Sequence, residues 1–469
     1  MNAKLLALRF DAGTLVLDGA GASDAVPGAL RWDERVLRWR APAHQYRRVV
    51  EELKAGGAAF EDRARAYDRF DFRTKLAAEP RPYQEEAIAE WERARRCGVV
   101  VLPTGAGKSL VAQMAIERAG RSALVVVPTL DLMNQWYDLL LSSFDAEIGL
   151  IGGGYFELGA LTVTTYASAF RFMERLGDKF GLVIFDECHH LPGGNYRYAA
   201  EFSLAPFRLG LTATPERGDG EENALEELIG PTVFRREARE MAGEYLSDYT
   251  VVRLRVELSP PERAAYERER GVFQRFLFDS KIRLGGPRGW QFFIAASARS
   301  EDGRRAMMAY RESRRIALGT EGKLGVLAEL LRRHRRERVL VFTAENEMVY
   351  RISEKFLIPA ITHETEIKER RAWLEDFNAG RVLALATSKV LNEGVNIPAA
   401  SVAVVLSGSG SSREHIQRLG RILRKLPDKE AVLYEVITTG TTEEGISRRR
   451  GDNAQFRDAG AAGGQPGFI

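Results

Sequence analysis

The sequence predicts an α/β protein. It has two parallel-sheet domains in tandem, a small α+β module ahead of the first and a helical insertion before the second. Three observations predict this. Short apolar runs of buried-strand length alternate with stretches of helical period, in two separate series. A different pattern, short strands around turn residues and then one helix, fills the N-terminal end. Between the two series lies an Arg-rich region of helical period with interleaved aromatics. The length agrees, since 469 residues at about 150 per domain is three domains.

The N-terminal module, residues 1–72, opens with strands over 4–10 and 13–19 around Asp11, Ala12 and Gly13. Residues 30–40 alternate loosely and carry Trp32 and Trp39, which read as core or interface residues. Pro42 then opens a helix through 45–54 that stops at Gly56-Gly57. The first series places strands at 99–102, 123–127, 161–165, 182–185 and 208–211, within a domain at 73–244. The insertion, 245–320, reads as helical, with Tyr266, Phe273, Phe276, Trp290, Phe292 and Phe293. Its aromatics either form a small core of their own under solvated arginines, or offer stacking and backbone contact to nucleic acid. The second series has strands at 338–342, 360–362, 382–387, 402–406 and 430–436, within a domain at 321–440. Residues 441–469 drift into Gly, Ala and Arg without period and read as a disordered tail.

Composition excludes several classes. An apolar fraction of 45% and a charged fraction of 28% are those of folded protein, not of a disordered chain or a collagen-like fibre. Lys+Arg of 68 against Asp+Glu of 65 gives a net charge of +3, so any basic surface is local. Cys97 and Cys188 are the only cysteines, which leaves no disulfide framework or structural zinc module and fits a reducing compartment. Arg9 and Asp11 break the first apolar stretch before it reaches the ~7–15 residues of a signal peptide. No window approaches the ~18 apolar residues of a membrane span, so the sequence reads as cytoplasmic.

Pro103-Thr104-Gly105-Ala106-Gly107-Lys108-Ser109 follows an expected strand and opens an expected helix. Glycines there let backbone N–H groups wrap a phosphate, and the helix N-terminus adds its positive end. Lys108 reaches the β- and γ-phosphates of ATP and the Ser109 hydroxyl binds Mg²⁺ in such a loop. Leu102 stands where the strict pattern has its first glycine. The bland alternative is a Gly-rich turn that only joins strand to helix. Downstream, the buried strand 182–185 delivers Asp186 and Glu187 at its C-terminal end. Paired with a phosphate loop, Asp186 holds Mg²⁺ through water and Glu187 orients the attacking water. Cys188 and His189 complete a DExH-type run; His189 and His190 lack a third ligand nearby for a metal site.

With these residues in order, the chain resembles a superfamily 2 helicase, and within that group the XPB-type DNA helicases of archaea and bacteria. Arg81-Pro82-Tyr83-Gln84 looks like the adenine-side element, and 103–109 like motif I. Val127-Pro128-Thr129 with Gln135-Trp136 looks like motif Ia, and Thr164-Thr165-Tyr166 like motif Ib. Asp186–Glu187–Cys188–His189 matches motif II, Thr212-Ala213-Thr214 motif III, and 339–343 the opening of motif IV. Residues 388–398, with Glu393-Gly394, match motif V, and Gln417 to Arg424 match motif VI.

The resemblance implies two RecA-like domains with ATP in the cleft between them. Arg81, Gln84, Thr104, Gly105, Gly107, Lys108, Ser109 and Gly394 would bind the nucleotide. Ser109 and Asp186 would hold Mg²⁺. Lys108, Asp186, Glu187, Gln417, Arg421 and Arg424 would carry hydrolysis. Arg421 and Arg424 share one helix face, and Arg421 would act as an arginine finger; the bland reading of the pair is a solvated basic face. Thr129, Thr165, Thr387, Arg217 and Asp219 would meet nucleic-acid backbone, which gives no sequence readout. The first module then corresponds to a damage-recognition domain and the insertion to a thumb. The implied partners are DNA, single-stranded and forked duplex, and a repair nuclease; the implied activity is 3′→5′ unwinding by a monomer.

Three positions depart from the family pattern. Gly218 replaces a glutamate in an Arg-Glu-Asp loop, and Asn392 and Asn396 stand where relatives usually have Asp. The Gly218 change implies DNA-stimulated ATPase with weak unwinding of blunt duplex and better activity on forks with a 3′ single-stranded tail; the bland alternative is that the position tolerates change and Arg217 and Asp219 suffice. A DExH RNA helicase and a non-catalytic damage-binding scaffold stand as alternatives. The scaffold would need a broken nucleotide site, yet Lys108, Asp186, Glu187 and Arg421 are all present.

Overall fold

The computed structural model describes residues 6–21, 24, 26–75, 79–214, 223–241, 249–284, 289–388, 400–407 and 431–445. Contacts divide the chain into two units, 1–236 and 237–469.

The first unit begins with strands β1 (Leu6–Asp11), β2 (Thr14–Asp18), β3 (Arg31–Asp33), β4 (Arg38–Pro42) and β5 (Phe60–Arg63), and helix α1 (Tyr46–Ala55). The sheet order is β3-β4-β2-β1-β5. Leu8, Leu15, Leu17, Val49 and Leu53 form its core, joined by Leu204 from beyond the module. Trp32 and Trp39 pair edge to face at 5.6 Å; Trp39 packs partly buried on that core.

The module sits on the strand starts of the sheet that follows. Arg47 donates to the carbonyls of Arg95 (2.6 Å) and Pro206 (3.4 Å). A strap after β5 continues the attachment, with Ala66 N donating to Asp178 O (2.9 Å) and Phe70 N to Gly120 O (3.0 Å).

That sheet is built from α2 (Pro82–Arg93), β6 (Cys97–Val101), α3 (Lys108–Ala119), β7 (Ala123–Val127), α4 (Leu130–Ser143), β8 (Ile148–Gly152), β9 (Tyr155–Glu157), β10 (Leu161–Thr165), α5 (Tyr166–Leu176), β11 (Leu182–Asp186), α6 (Tyr198–Glu201), β12 (Phe207–Thr212), α7 (Asn223–Leu228) and β13 (Thr232–Arg235). The order is β13-β6-β12-β11-β7-β10-β8-β9. Only β9 runs antiparallel among the pairings described. β7, β10 and β11 are buried along their whole length, which is why they read as continuous apolar runs. In a parallel sheet the loops at the strand C-termini gather on one edge, where ligands bind. The predicted phosphate loop, acidic pair, Thr129 and Thr165 lie on that edge.

The second unit contains α8 (Ala238–Met241), β14 (Tyr249–Val256), α9 (Pro260–Asp279), α10 (Gly289–Ser297), α11 (Glu301–Gly319), α12 (Glu321–Arg333), β15 (Val339–Phe342), α13 (Asn346–Phe356), β16 (Ala360–Ile361), α14 (Ile367–Asn378), β17 (Ala384–Thr387), β18 (Val402–Val405) and β19 (Ala431–Thr438). The sheet order is β14-β19-β18-β15-β17-β16, parallel throughout its described pairings.

Two expectations are corrected here. Residues 249–256, expected inside the helical insertion, are an edge strand of this sheet, in register with β19 from Tyr249↔Ala431 to Val256↔Thr438. Val252, Leu254 and Val256 pack on the sheet core, while Arg253 pairs with Glu435 at 3.2 Å on the other face. Alternation of β-branched and charged residues is a strand pattern. The helical part is therefore α9 to α11. The expected tail also begins too early, because Thr441 and Glu443 are buried. Glu443 is held there by Lys323, whose Nζ lies 2.6 Å from Oε2.

Several of the insertion's aromatics form a small core of their own. Phe273 and Phe293 are buried with Ala306 and Ala309, with Phe276 and Tyr310 packed against them. Trp290 and Phe292 remain 39% and 61% exposed. The base of α9 grips the end of the chain: Arg263 donates to Gly440 O (2.8 Å) and Thr439 O (3.0 Å). Thr442 N donates to the Tyr266 hydroxyl (3.0 Å).

Candidate nucleotide site

β6 lies between β12 and β13, so the chain leaving it at Leu102 starts from a fixed point. Leu102 N donates to Thr212 O at 3.0 Å. The following turn needs Gly105 and Gly107 at φ 88° and 78°, a region that glycine enters without the Cβ penalty. Gly107 is the N-cap of α3 and brings no side-chain acceptor, so a ligand can take the helix's leading N–H groups. Lys108 Nζ rests on Leu102 O at 3.3 Å. Thr104 Oγ1 is buried with no hydrogen-bond partner.

The N-terminus of α2 braces this loop. Tyr83 Oη donates to Ala106 O (2.7 Å) and Gln84 Nε2 donates to the same oxygen (3.0 Å). Gln84 Oε1 accepts from Arg81 N (2.9 Å). Gln84 is 2% exposed, so its amide spans from the start of α2 to the phosphate loop. A Cβ at Gly107 would fall 2.4 Å from Gln84 Nε2. The sequence reading places Arg81 and Gln84 on the nucleotide; here Gln84 is committed to the loop that would bind it.

Asp186 closes β11, 7% exposed. Its Oδ2 accepts from Trp136 Nε1 (2.8 Å) and its Oδ1 from Glu187 N (3.0 Å). Burial, then the neighbouring Glu187 charge, pushes its pKa up to about 6, against the pull of Lys108 and the Trp136 N–H. Glu187 stands in the left-handed region, φ 48°, ψ 50°, a strained place for a non-glycine residue. Its Oε2 has no hydrogen-bond donor and lies 3.5 Å from His189 Nδ1. His189 Nδ1 is 3.1 Å from Thr212 Oγ1, which accepts from Thr214 N at 3.1 Å. Motifs II and III are thus joined through one hydroxyl.

These groups fit a magnesium nucleotide. Two adjacent buried carboxylates are costly without a cation. An orphaned Thr104 hydroxyl beside an unfilled helix N-terminus suits phosphate oxygens. Ser109, second residue of α3, and Asp186 are the residues that would hold the ion.

Each of the three threonines expected on nucleic-acid backbone makes a hydrogen bond within the protein. Thr129 and Thr165 are the N-caps of α4 and α5, accepting from Leu132 N and Ser168 N at 3.2 Å each. Thr165 Oγ1 also hydrogen-bonds Ser168 Oγ at 3.0 Å. Thr387 is fully buried and donates to Ser388 O at 3.3 Å, so its hydroxyl does not reach the surface. Arg217, Gly218, Asp219, Gly394, Gln417, Arg421 and Arg424 lie outside the described residues.

Sequence reasoning matched Trp136 and Tyr166 to motifs without giving either a role. Both reach Asp186, Trp136 at the carboxylate and Tyr166 through Oη to the carbonyl oxygen at 3.0 Å. The available signal was a polar-tipped aromatic amid an apolar helix face, which when buried needs a partner.

Comparison with known proteins places these motifs. Residues 8–64 match the Xeroderma pigmentosum group B helicase damage recognition domain. Residues 77–217 match the Type III restriction enzyme, res subunit, and 322–425 the helicase conserved C-terminal domain. The chain is 39% identical over 429 residues to the DNA 3′-5′ translocase XPB2 of Sulfurisphaera tokodaii, covering 91% of this chain and 97% of that protein. It is 31% identical over 367 residues to the DNA 3′-5′ helicase XPB of Mycobacterium tuberculosis, covering 75% of this chain and 60% of that protein. Among solved structures, the Pyrococcus furiosus Hef helicase domain superposes with a TM-score of 0.53 at 19% identity, over 79% of this chain and 97% of that one. Saccharomyces cerevisiae Dbp5 superposes with a TM-score of 0.55 at 15% identity, over 80% and 88%; both share the fold of paired RecA-like domains. The motif order, the matched N-terminal module and a 39% identical relative covered almost end to end show that this chain belongs to the XPB family of superfamily 2 DNA helicases and translocases.

Proposed function

We propose that the chain is an ATP-dependent 3′→5′ DNA helicase or translocase that acts on single-stranded and forked DNA in repair. The observation that carries the reading is the pairing of buried Asp186 and Glu187 at the end of β11 with the glycine loop and Lys108 at the end of β6. Lys108 binds the β- and γ-phosphates. Backbone N–H groups of the loop and the Thr104 hydroxyl hold phosphate oxygens. A bound Mg²⁺, held by Ser109 and Asp186 through water, supplies neutralisation of the charge that develops on the γ-phosphate. Glu187, whose Oε2 lacks a donor, orients the attacking water. Arg421 supplies the finger that stabilises transition-state charge, with Gln417 and Arg424 beside it in sequence. Gly394 belongs to the same set by its motif. The DNA backbone runs over the helix starts capped by Thr129 and Thr165, so binding weakens steeply with salt and ignores sequence.

ATP turnover with single-stranded DNA, duplex DNA and RNA tests this reading. Single-stranded DNA should stimulate most. Lys108→Ala should abolish turnover, and Glu187→Gln should abolish it while still trapping nucleotide. Near wild-type turnover in either variant would falsify the site assignment. Equal stimulation by RNA would move the chain to the RNA-helicase reading.

A further inference from the structure

We infer that Trp136 and Tyr166 are positioning residues that couple the DNA-facing ends of α4 and α5 to the hydrolytic carboxylate Asp186. The inference rests on the proposed DNA-stimulated ATPase. It assigns that stimulation to two side chains.

The geometry has three parts. First, both helices start on the ligand edge of the sheet, with N-caps Thr129 and Thr165. The helices follow strands β7 and β10, which stand beside β11 in the order β11-β7-β10, β7 next to it and β10 one strand further. Secondly, each helix sends one hydrogen bond to the same residue. Trp136, on α4, donates to Asp186 Oδ2 at 2.8 Å. Tyr166, the first residue of α5, donates to the Asp186 carbonyl at 3.0 Å. Thirdly, both aromatics are sealed from solvent, Trp136 at 3% and Tyr166 at 1% exposure. Neither bond can therefore be replaced by water.

The two bonds do different things. Tyr166 fixes the main chain of Asp186, and Trp136 fixes its side chain. A shift of α4 relative to α5 therefore turns the carboxylate about its Cα–Cβ bond. A phosphate drawn to the start of one helix produces such a shift, because a helix moves as a rigid rod. A hydrogen bond weakens steeply as its distance and angle change, so a displacement well below an ångström suffices.

Trp91 shows what a purely structural indole does in the same unit. It is fully buried, and its Nε1 donates to a main-chain carbonyl, Arg208 O, at 2.9 Å. Trp136 spends its single donor on a catalytic carboxylate instead.

The test uses the full chain, with Trp136→Phe and Tyr166→Phe, each keeping the ring and losing the donor. Two quantities are read: the ratio of DNA-stimulated to basal ATP turnover, and the affinity for a fluorescein-labelled single strand with and without magnesium and a non-hydrolysable ATP analogue. Both quantities depend on the same link from the helix starts to Asp186, so the nucleotide-induced change in DNA affinity should shrink along with the stimulation ratio. Trp136→Phe should lower both by about tenfold, inside the usual ~5–150-fold range of coupling between sites, with DNA affinity in the absence of nucleotide unchanged. Tyr166→Phe should act in the same direction.

Wild-type values for both ratios in both variants overturn the inference. So does an equal fall in basal and stimulated turnover, which would make the residues supports of Asp186 without a part in coupling. If DNA fails to stimulate the wild-type chain, the proposed function itself falls, and the inference with it.

Discussion

Replacing Lys323 by methionine removes the charge that organises the C-terminal end of the second unit. Lys323 and Glu443 are 0% and 1% exposed at their side chains. The ammonium donates to Glu443 Oε1 (2.8 Å) and Oε2 (2.6 Å), and also to the Leu406 carbonyl. Glu443 Oε2 additionally accepts from Thr438 N at 2.9 Å. The pair thus ties α12 to the end of β18 and to the turn after β19. Methionine fills a similar volume but leaves a buried carboxylate with one main-chain donor. Breaking a buried pair from one side destabilises by about 3–5 kcal/mol.

The double variant Lys323→Met/Glu443→Met removes both charges and should recover part of that loss. It still strands Thr438 N–H and Leu406 C=O, which costs about 1–3 kcal/mol for each unsatisfied group. Native-state hydrogen exchange of the α12 amides reads the effect locally. Protection should fall by about two to four orders of magnitude in Lys323→Met and by less in the double variant. A fall of less than about tenfold, or single-variant effects that simply add, would refute the reasoning.

Two further outcomes follow from the site and from the module. Arg421→Ala should lower kcat by about 10³-fold or more while nucleotide affinity changes little; weaker binding with kcat preserved would make Arg421 a ground-state ligand. His44, on the short turn Ala43–Gln45, is held down to a pKa of about 4 by burial first and by the Arg208 charge second. The unfolded chain therefore binds a proton that the folded chain refuses as pH falls from 6.5 towards 4, so the His44 contribution to stability rises with pH across that window. Asp186, raised to about 6, contributes with the opposite sign over nearly the same window, so the test is the difference between melting temperatures of the wild type and His44→Gln from pH 4 to 8. That difference should grow with pH up to about 6.5, and a difference that does not change with pH would exclude His44 as a contributor.

Much of the site was legible because its parts are contiguous in the chain. A phosphate loop needs adjacent N–H groups and glycines at two fixed places, so 103–109 declares itself in order. The acidic pair is legible for the same reason, since a buried strand must end somewhere and Asp186-Glu187 is where this one does. The fully buried strands β7, β10 and β11 show as apolar runs because both their faces are covered.

What the tertiary structure alone decided are pairings between distant residues. Arg253 meets Glu435 across 182 positions, and with that register a segment of the expected helical insertion becomes a sheet edge. Lys323 meets Glu443 across 120 positions, which draws the first residues of the expected tail into the core. Trp136 meets Asp186 across 50, and Thr387 loses its surface by ending a covered strand. A sequence states which side chains want a partner. Which partner each obtains depends on strand order and helix placement, and those are fixed only when the whole apolar surface of the unit is buried at once.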